Sequence, residues 1–95
     1  RVLVHGPVTD DHLQTAEEFY GIVPTSFVTN DHNDPPHTRV PHWQMPIDRK
    51  LGILGERARN YTLVQNCDAA IIIGANEHLA GIVRKYGLPL FEDAS

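Results

Sequence analysis

Cysteine is nearly missing from this sequence, and long apolar runs and basic blocks do not occur in it. Cys67 is the single cysteine among 95 residues, so the chain forms no internal disulfide and holds no zinc site built from several thiolates. No run of about eighteen apolar residues is present, and the chain opens directly on a strand pattern. We therefore expect neither a membrane-spanning helix nor a secretory signal.

Positive charge is also scarce. Eight basic residues face twelve acidic ones, which gives a formal charge of -4 and a pI near 5.8. The basic residues are scattered, whereas sequence-independent nucleic-acid binding requires a basic face that neutralises phosphates. We therefore predict that the protein does not bind nucleic acid. The single cysteine fits a reducing compartment, so we expect a cytoplasmic protein, and the length predicts a single domain over residues 1–95.

Short apolar runs alternate with helical patterns along the chain. Strand patterns cover Val2–His5, residues 25–30, Ala69–Ile73 and residues 88–92. Helical patterns cover residues 11–20, residues 47–65 with a break near Gly52 or Gly55, and a segment capped by Asn76 and ended by Gly87. Strands separated by helix-length segments predict an α/β fold with a compact, open, mainly parallel sheet and flanking helices, which is a Rossmann-like arrangement.

Residues 31–46 break this alternation. They contain four of the seven prolines, three of the six histidines and the only tryptophan, Trp43, so we predict an irregular loop. His32, His37 and His42 are spaced by five residues, which fits no compact zinc motif, and we expect no metal. Trp43 either fixes the loop to the core or stacks on a ligand ring.

Two turns follow strands of the predicted sheet at its carboxyl edge, where open α/β sheets bind their ligands. The first contains Gly6 and Pro7, and the second runs from Gly74 through Asn76 to His78. Each leads into a helix, whose unpaired N–H groups and dipole favour an anion such as phosphate. Asn76 is also a good N-cap whether or not a ligand binds. His5 and His78 are predicted to face the same cleft, as acid, base or hydrogen-bond donor, or as ordinary polar residues of the rim.

Several of these features are similar to one known superfamily. The matching elements are an Arg-Asn pair that opens the helix before an apolar strand, an aspartate just before that strand, a glycine turn after it, a Gly-Leu-Pro-Leu end to the next helix, the opening "RVLVHGP" and the element "PHWQ". In this chain the helical pair is Arg59-Asn60, the aspartate is Asp68 and the turn is Gly74-Ala75-Asn76. The sequence thereby resembles the SLOG superfamily of Rossmann-like nucleotide-binding domains, which includes the Lonely Guy phosphoribohydrolases.

The resemblance implies roles for individual residues. It implies that Gly6, Pro7, Gly74 and Asn76 shape the phosphate-binding turns and that Trp43 or His42 closes over the base. It also implies that Arg59 and Asn60 recognise charge or sugar and that Glu77 is the catalytic residue if the protein is an enzyme. The sequence departs from the superfamily in two places: "TNDHNDPPHTRVPHW" replaces a second glycine-rich turn, and Ala75-Asn76 replaces a Gly-Thr pair.

Three functions remain open from the sequence. The first is binding of a nucleotide or a nucleotide-derived small molecule, as a sensor or ligand-binding module without a cofactor. The second is an enzyme of N-glycosidic bonds, similar to phosphoribohydrolases or deoxyribosyltransferases, and the third is a protein-interaction module without a ligand. Loss of the second glycine-rich turn favours binding over catalysis. Because the chain is small, we also expect a homodimer or a higher homo-oligomer.

Overall fold

The structure is a computed structural model and describes residues 1–30, 40–45 and 49–93. In chain order the elements are β1 (Val2–His5), α1 (Asp10–Tyr20), β2 (Phe27–Asn30), β3 (His42–Met45), a 3₁₀ turn (Arg49–Leu51), α2 (Ile53–Gln65), β4 (Ala69–Ile73), α3 (Glu77–Lys85) and β5 (Leu90–Asp93). The strands form one sheet in the order β3-β2-β1-β4-β5. All its pairings are parallel, which confirms the predicted α/β fold.

The sheet is buried on both faces, and its central strands β1 and β4 are apolar at every position except His5. All five residues of β4 are buried, and Leu3 and Val4 of β1 are fully inaccessible to solvent. Side chains of a strand alternate between the two faces. Accordingly, Leu3 and Ile72 pack with residues of α2 and α3, while Val4 and Ile71 pack with Ala16 of α1.

Local signals in the sequence set the ends of the helices. Thr9 caps α1: its hydroxyl accepts a hydrogen bond from the His12 backbone N–H, and His12 Nδ1 accepts one from the Thr9 N–H. Gly21 ends α1 with a φ of 66°. Gly52 has a φ of 58° and separates the 3₁₀ turn from α2, so the predicted break in that helical pattern is confirmed.

One strand lies where the sequence pattern predicts a loop. His42–Met45 forms β3 at the edge of the sheet, in register with β2 from Phe27↔His42 to Asn30↔Met45. The Pro41 carbonyl accepts the Phe27 N–H at 2.8 Å. Proline is rare in central strands but is tolerated at or beside an edge strand. The four prolines of residues 31–46 therefore led to the prediction of a loop where a four-residue edge strand lies. Residues 31–39 of the predicted loop, which include His32 and His37, and Pro46 lie outside the described residues.

Within the described part of the chain, no helix is both long enough and apolar enough to cross a membrane. The longest of the described helices, α2, has 13 residues, whereas a span needs about 20.

Candidate functional site

The candidate site lies at the carboxyl edge of the sheet, between the neighbouring strands β1 and β4. The chain continues from β1 to β2 on one side of this point and from β4 to β5 on the other. Parallel α/β sheets bind ligands at such a switch point. Gly6 follows β1 with a φ of 86°, and Gly74 follows β4 with a φ of 90°. An added Cβ at Gly6 would lie 1.9 Å from the Ile73 carbonyl oxygen, whereas one at Gly74 would meet no atom within 4 Å. Gly6 therefore lets the two strand ends pack together. At Gly74 the positive φ, rather than a lack of space, favours glycine.

The turn over residues 74–78, here called the Gly74 turn, leads into α3 and contains backbone N–H groups that no backbone carbonyl of the described residues accepts. Asn76 is the N-cap, and its Oδ1 accepts the Leu79 N–H at 3.1 Å. The Gly74 N–H donates to the Asp93 carbonyl at 2.7 Å. No backbone carbonyl among the described residues accepts the N–H groups of residues 75–78. These groups, at the positive end of a helix, can receive an anion, but the Gly74 N–H predicted to join them is already bonded.

The N-terminus of α1 is less suited to an anion, although the sequence gives both turns the same prediction. The reciprocal bonds between Thr9 and His12 occupy the N–H groups of both residues. Asp10 and Asp11 place two carboxylates in the first turn of α1, and like charges repel a phosphate. Gly6 and the exposed Pro7 thus shape the edge of the site, while α3 supplies its donors.

His5 and Asn76 connect β1 to the Gly74 turn. Asn76 Nδ2 lies 3.4 Å from His5 Nε2. Because Asn76 Oδ1 is engaged as the helix cap, the contact to His5 is made by the amide NH₂, which can only donate. In this contact the Asn76 amide is therefore the donor and His5 Nε2 the acceptor.

A second cleft opens between the first half of α2 and the start of α3. This α2–α3 cleft has a volume of about 150 Å³ and is lined by Ile53, Glu56, Arg57, Asn60 and His78. Asn60 Nδ2 lies 3.1 Å from His78 Nδ1, and the Tyr61 ring contacts the His78 ring edge to face at 6.0 Å. His78 is thus held by two residues of α2.

Arg59 and Asn60 are neighbours in sequence but have different surroundings. Arg59 is only 6% exposed and is absent from the lining of the α2–α3 cleft, where the basic residue is Arg57. Sequence reasoning missed Arg57, Glu56 and Ile53. Helical spacing could have found them, since positions 53, 57 and 60 lie at intervals of four and three and therefore share one face of α2.

Trp43 and His42 do not meet the Gly74 turn among the described residues. Both lie in edge strand β3 and line another cleft, of about 190 Å³, together with Arg1, Ser26 and Pro41. These partners precede or begin strands, so this cleft belongs to the amino edge of the sheet. The structure therefore does not bring Trp43 together with the other predicted ligand-binding residues.

Glu77 and Cys67 are the carboxylate and the thiol that are relevant to catalysis. Glu77 is the exposed first residue of α3, and no side chain of the described residues forms an ion pair with it. Burial raises the pKa of the Cys67 thiol to about 11, so this group is a poor nucleophile at neutral pH. No group of three histidine, cysteine or acidic side chains among the described residues could hold a metal ion.

The cap of α3 gives a direct test of local stability. Asn76→Ala is expected to lower the free energy of unfolding by about 1 kcal/mol, because the Leu79 N–H loses its acceptor. Asn76→Asp keeps the cap oxygen but loses the Nδ2 donor to His5, so it should retain most of the stability. Thermal unfolding followed by circular dichroism measures both. Equal losses in the two variants would mean that the contact with His5, rather than the cap, holds the turn.

Comparison with known proteins adds no relative: no protein-family model, curated protein or solved structure matches this chain. The likeness to the SLOG superfamily thus consists of the short motifs quoted above. The structure supports the general part of that likeness, which is a Rossmann-like α/β fold with a parallel sheet.

Proposed function

We propose that this domain binds a nucleotide or a nucleotide-derived small molecule at the carboxyl edge of its sheet. The observation that carries the proposal is the set of N–H groups at residues 75–78, which lie at the β1/β4 switch point and lack backbone acceptors among the described residues. A phosphate at this position would accept several of them and would be stabilised by the dipole of α3. Arg57 adds a cation in the neighbouring α2–α3 cleft.

Membership of the SLOG superfamily is part of this proposal. Its support is the combination of the motif likeness with the placement of two of the motifs. The Arg59-Asn60 pair lies in α2, which packs against α3, and the Gly74 turn joins the buried strand β4 to α3.

A homo-oligomer is also part of the proposal. Three apolar residues are exposed near the start of α2, namely Leu51, Ile53 and Leu54, and their exposure supports the self-association that the small size predicts.

Phosphate dependence is the property that tests the proposed function. We expect at least one of the 5′-monophosphates of adenosine, guanosine, cytidine and uridine to bind, and its nucleoside to bind at least about tenfold more weakly, because charge-assisted hydrogen bonds are lost. Isothermal titration calorimetry gives the affinities, and native mass spectrometry gives the stoichiometry and the oligomeric state. Equal affinity for nucleotide and nucleoside, or no binding in the whole panel, would contradict the proposal.

The same panel separates a binder from an enzyme. Chromatography of the incubated nucleotides detects free base if the N-glycosidic bond is cleaved. Because Glu77 is the predicted catalytic residue, Glu77→Gln should abolish any such release while leaving binding nearly unchanged. A binding module releases no base from any nucleotide that it holds.

A further inference from the structure

Helix α2 carries apolar side chains on two opposite sides. Leu63 is buried in the core between the helices and the sheet, whereas Leu54, which lies about 180° around the helix, is 66% exposed. Tyr61 lies on the same side as Leu54 and is exposed too. A helix that is apolar all round is typical of one that is covered on all sides. Leu51, Ile53 and Leu54, the exposed apolar residues near the start of α2, are here called the α2 patch.

A second exposed apolar patch lies where α1 ends. Phe19 is 77% exposed, and Val23, which follows the end of the helix, is exposed as well; these two residues are here called the α1 patch. Ala16 of α1 packs on one face of the sheet and Leu63 of α2 packs on the other. The two patches therefore lie on opposite sides of the molecule, and neither can cover the other within one chain.

Charge distinguishes the two patches. The sequence contains no lysine or arginine from residue 2 to residue 38, and two exposed carboxylates, Glu17 and Glu18, directly precede Phe19. Residues 50–61, which include the α2 patch, expose more positive than negative charge. The exposed charged side chains of that segment are two cations and one carboxylate, namely Lys50, Arg57 and Glu56. The surroundings of the α1 patch are thus acidic and those of the α2 patch are net basic.

These charges favour one pairing of the patches. Two α1 patches would bring carboxylates together and two α2 patches would bring cations together, and like charges across an interface are unfavourable. An α1 patch against an α2 patch instead matches opposite charges around two apolar surfaces, which is the arrangement of a specific protein contact. Each chain therefore carries both halves of one complementary contact.

We infer that the α1 patch of one copy docks on the α2 patch of a second copy. The contact is heterologous because it joins two different surfaces, so each copy keeps a patch for the next one. Such contacts repeat head to tail and form a ring, or an open chain where the rotation does not close. The inference rests on the homo-oligomer proposed above and does not depend on nucleotide binding.

One variant in each patch tests this pairing. Phe19→Ser disables the α1 patch and Leu54→Ser disables the α2 patch, and both residues are exposed, so circular dichroism should show both variants folded. Sedimentation velocity over about a hundredfold range of concentration should show wild-type assemblies larger than a dimer, since association follows mass action. Each variant alone should associate at least about tenfold more weakly. Their equimolar mixture should form a heterodimer that grows no further, because one intact patch of each kind remains.

A charge reversal in that mixture tests the electrostatic part of the inference. Glu18→Lys added to the Leu54→Ser chain, which supplies the α1 patch of the heterodimer, should weaken the heterodimer at least about threefold. The same reversal added to the Phe19→Ser chain is the matched control. It should leave the affinity unchanged, because the α1 patch of that chain takes no part in the contact.

The remaining outcomes would overturn the inference in distinguishable ways. Undiminished association of either patch variant alone would show that the contact is not between the two patches, and so would a mixture that stays monomeric. Equal effects of Glu18→Lys in the two chains would remove the charge selection. Wild-type protein that is monomeric at every concentration would overturn the homo-oligomer as well, while nucleotide binding, measured separately by calorimetry, would stand.

Discussion

Replacing Gly6 with alanine is expected to lower the free energy of unfolding by about 4 kcal/mol or more, at the upper end of what single substitutions do. The added Cβ would lie 1.9 Å from the Ile73 carbonyl oxygen and 2.9 Å from its carbonyl carbon. Both atoms belong to the backbone of β4, so no side chain can rotate away. The φ of 86° adds strain for any residue with a Cβ. Relief would require β1 and β4 to separate, although they are paired up to His5↔Ile72.

Thermal and urea unfolding measure this loss. Domains of this size are stable by about 5–15 kcal/mol, so Gly6→Ala should melt far below the wild type or fail to fold. Gly21→Ala is the matched control, because Gly21 also has a positive φ but nothing lies within 4 Å of an added Cβ. That variant should lose only about 1–2 kcal/mol from backbone strain. Similar losses in both variants would show that the close approach to Ile73 adds nothing to the strain.

The parts of the fold that the sequence predicts correctly are those set by local chemistry. The buried run Ala69–Ile73 is predicted from composition, and the Asn76 cap and the break at Gly52 follow from the preferences of single residues. Strand β3 was missed because its existence depends on a distant partner: β2 offers a free edge, and four residues beside a proline complete it. Pairing between distant segments is not visible in local periodicity.

The candidate site shows the same division. The turns at Gly6 and Gly74 can be predicted because a strand, a glycine and a helix follow one another in the sequence. The choice of Arg59 as the basic residue of the site followed the motif rather than the helical spacing: Arg59 is buried, whereas Arg57 lines the α2–α3 cleft. A helix rotates by about 200° over two residues, so Arg57 and Arg59 lie on nearly opposite sides of α2 and only one of them can line the cleft.

Gly74→Val is expected to weaken nucleotide binding at least about hundredfold, because each lost N–H bond to a charged group is worth roughly 1.5–3 kcal/mol. Nothing lies within 4 Å of an added Cβ, so the effect comes from conformation: a φ of 90° is rarely adopted by a β-branched residue. Relaxing this φ would turn the following peptide and re-aim the N–H groups of residues 75–78. It would also disturb the bond from the Gly74 N–H to the Asp93 carbonyl.

Two control variants separate conformation from bulk and from general instability. Gly21→Val places the same strain at the end of α1, so it should lose a similar stability of about 1–3 kcal/mol without losing nucleotide affinity. Ala75→Val adds bulk at an exposed position of the Gly74 turn without requiring a positive φ, so binding should weaken less than in Gly74→Val. Calorimetry at a temperature where all three variants are folded gives the comparison. If Gly74→Val binds like Gly21→Val, the Gly74 turn is only a connection between β4 and α3, since a turn that holds phosphate through its backbone cannot keep its affinity when that backbone rotates.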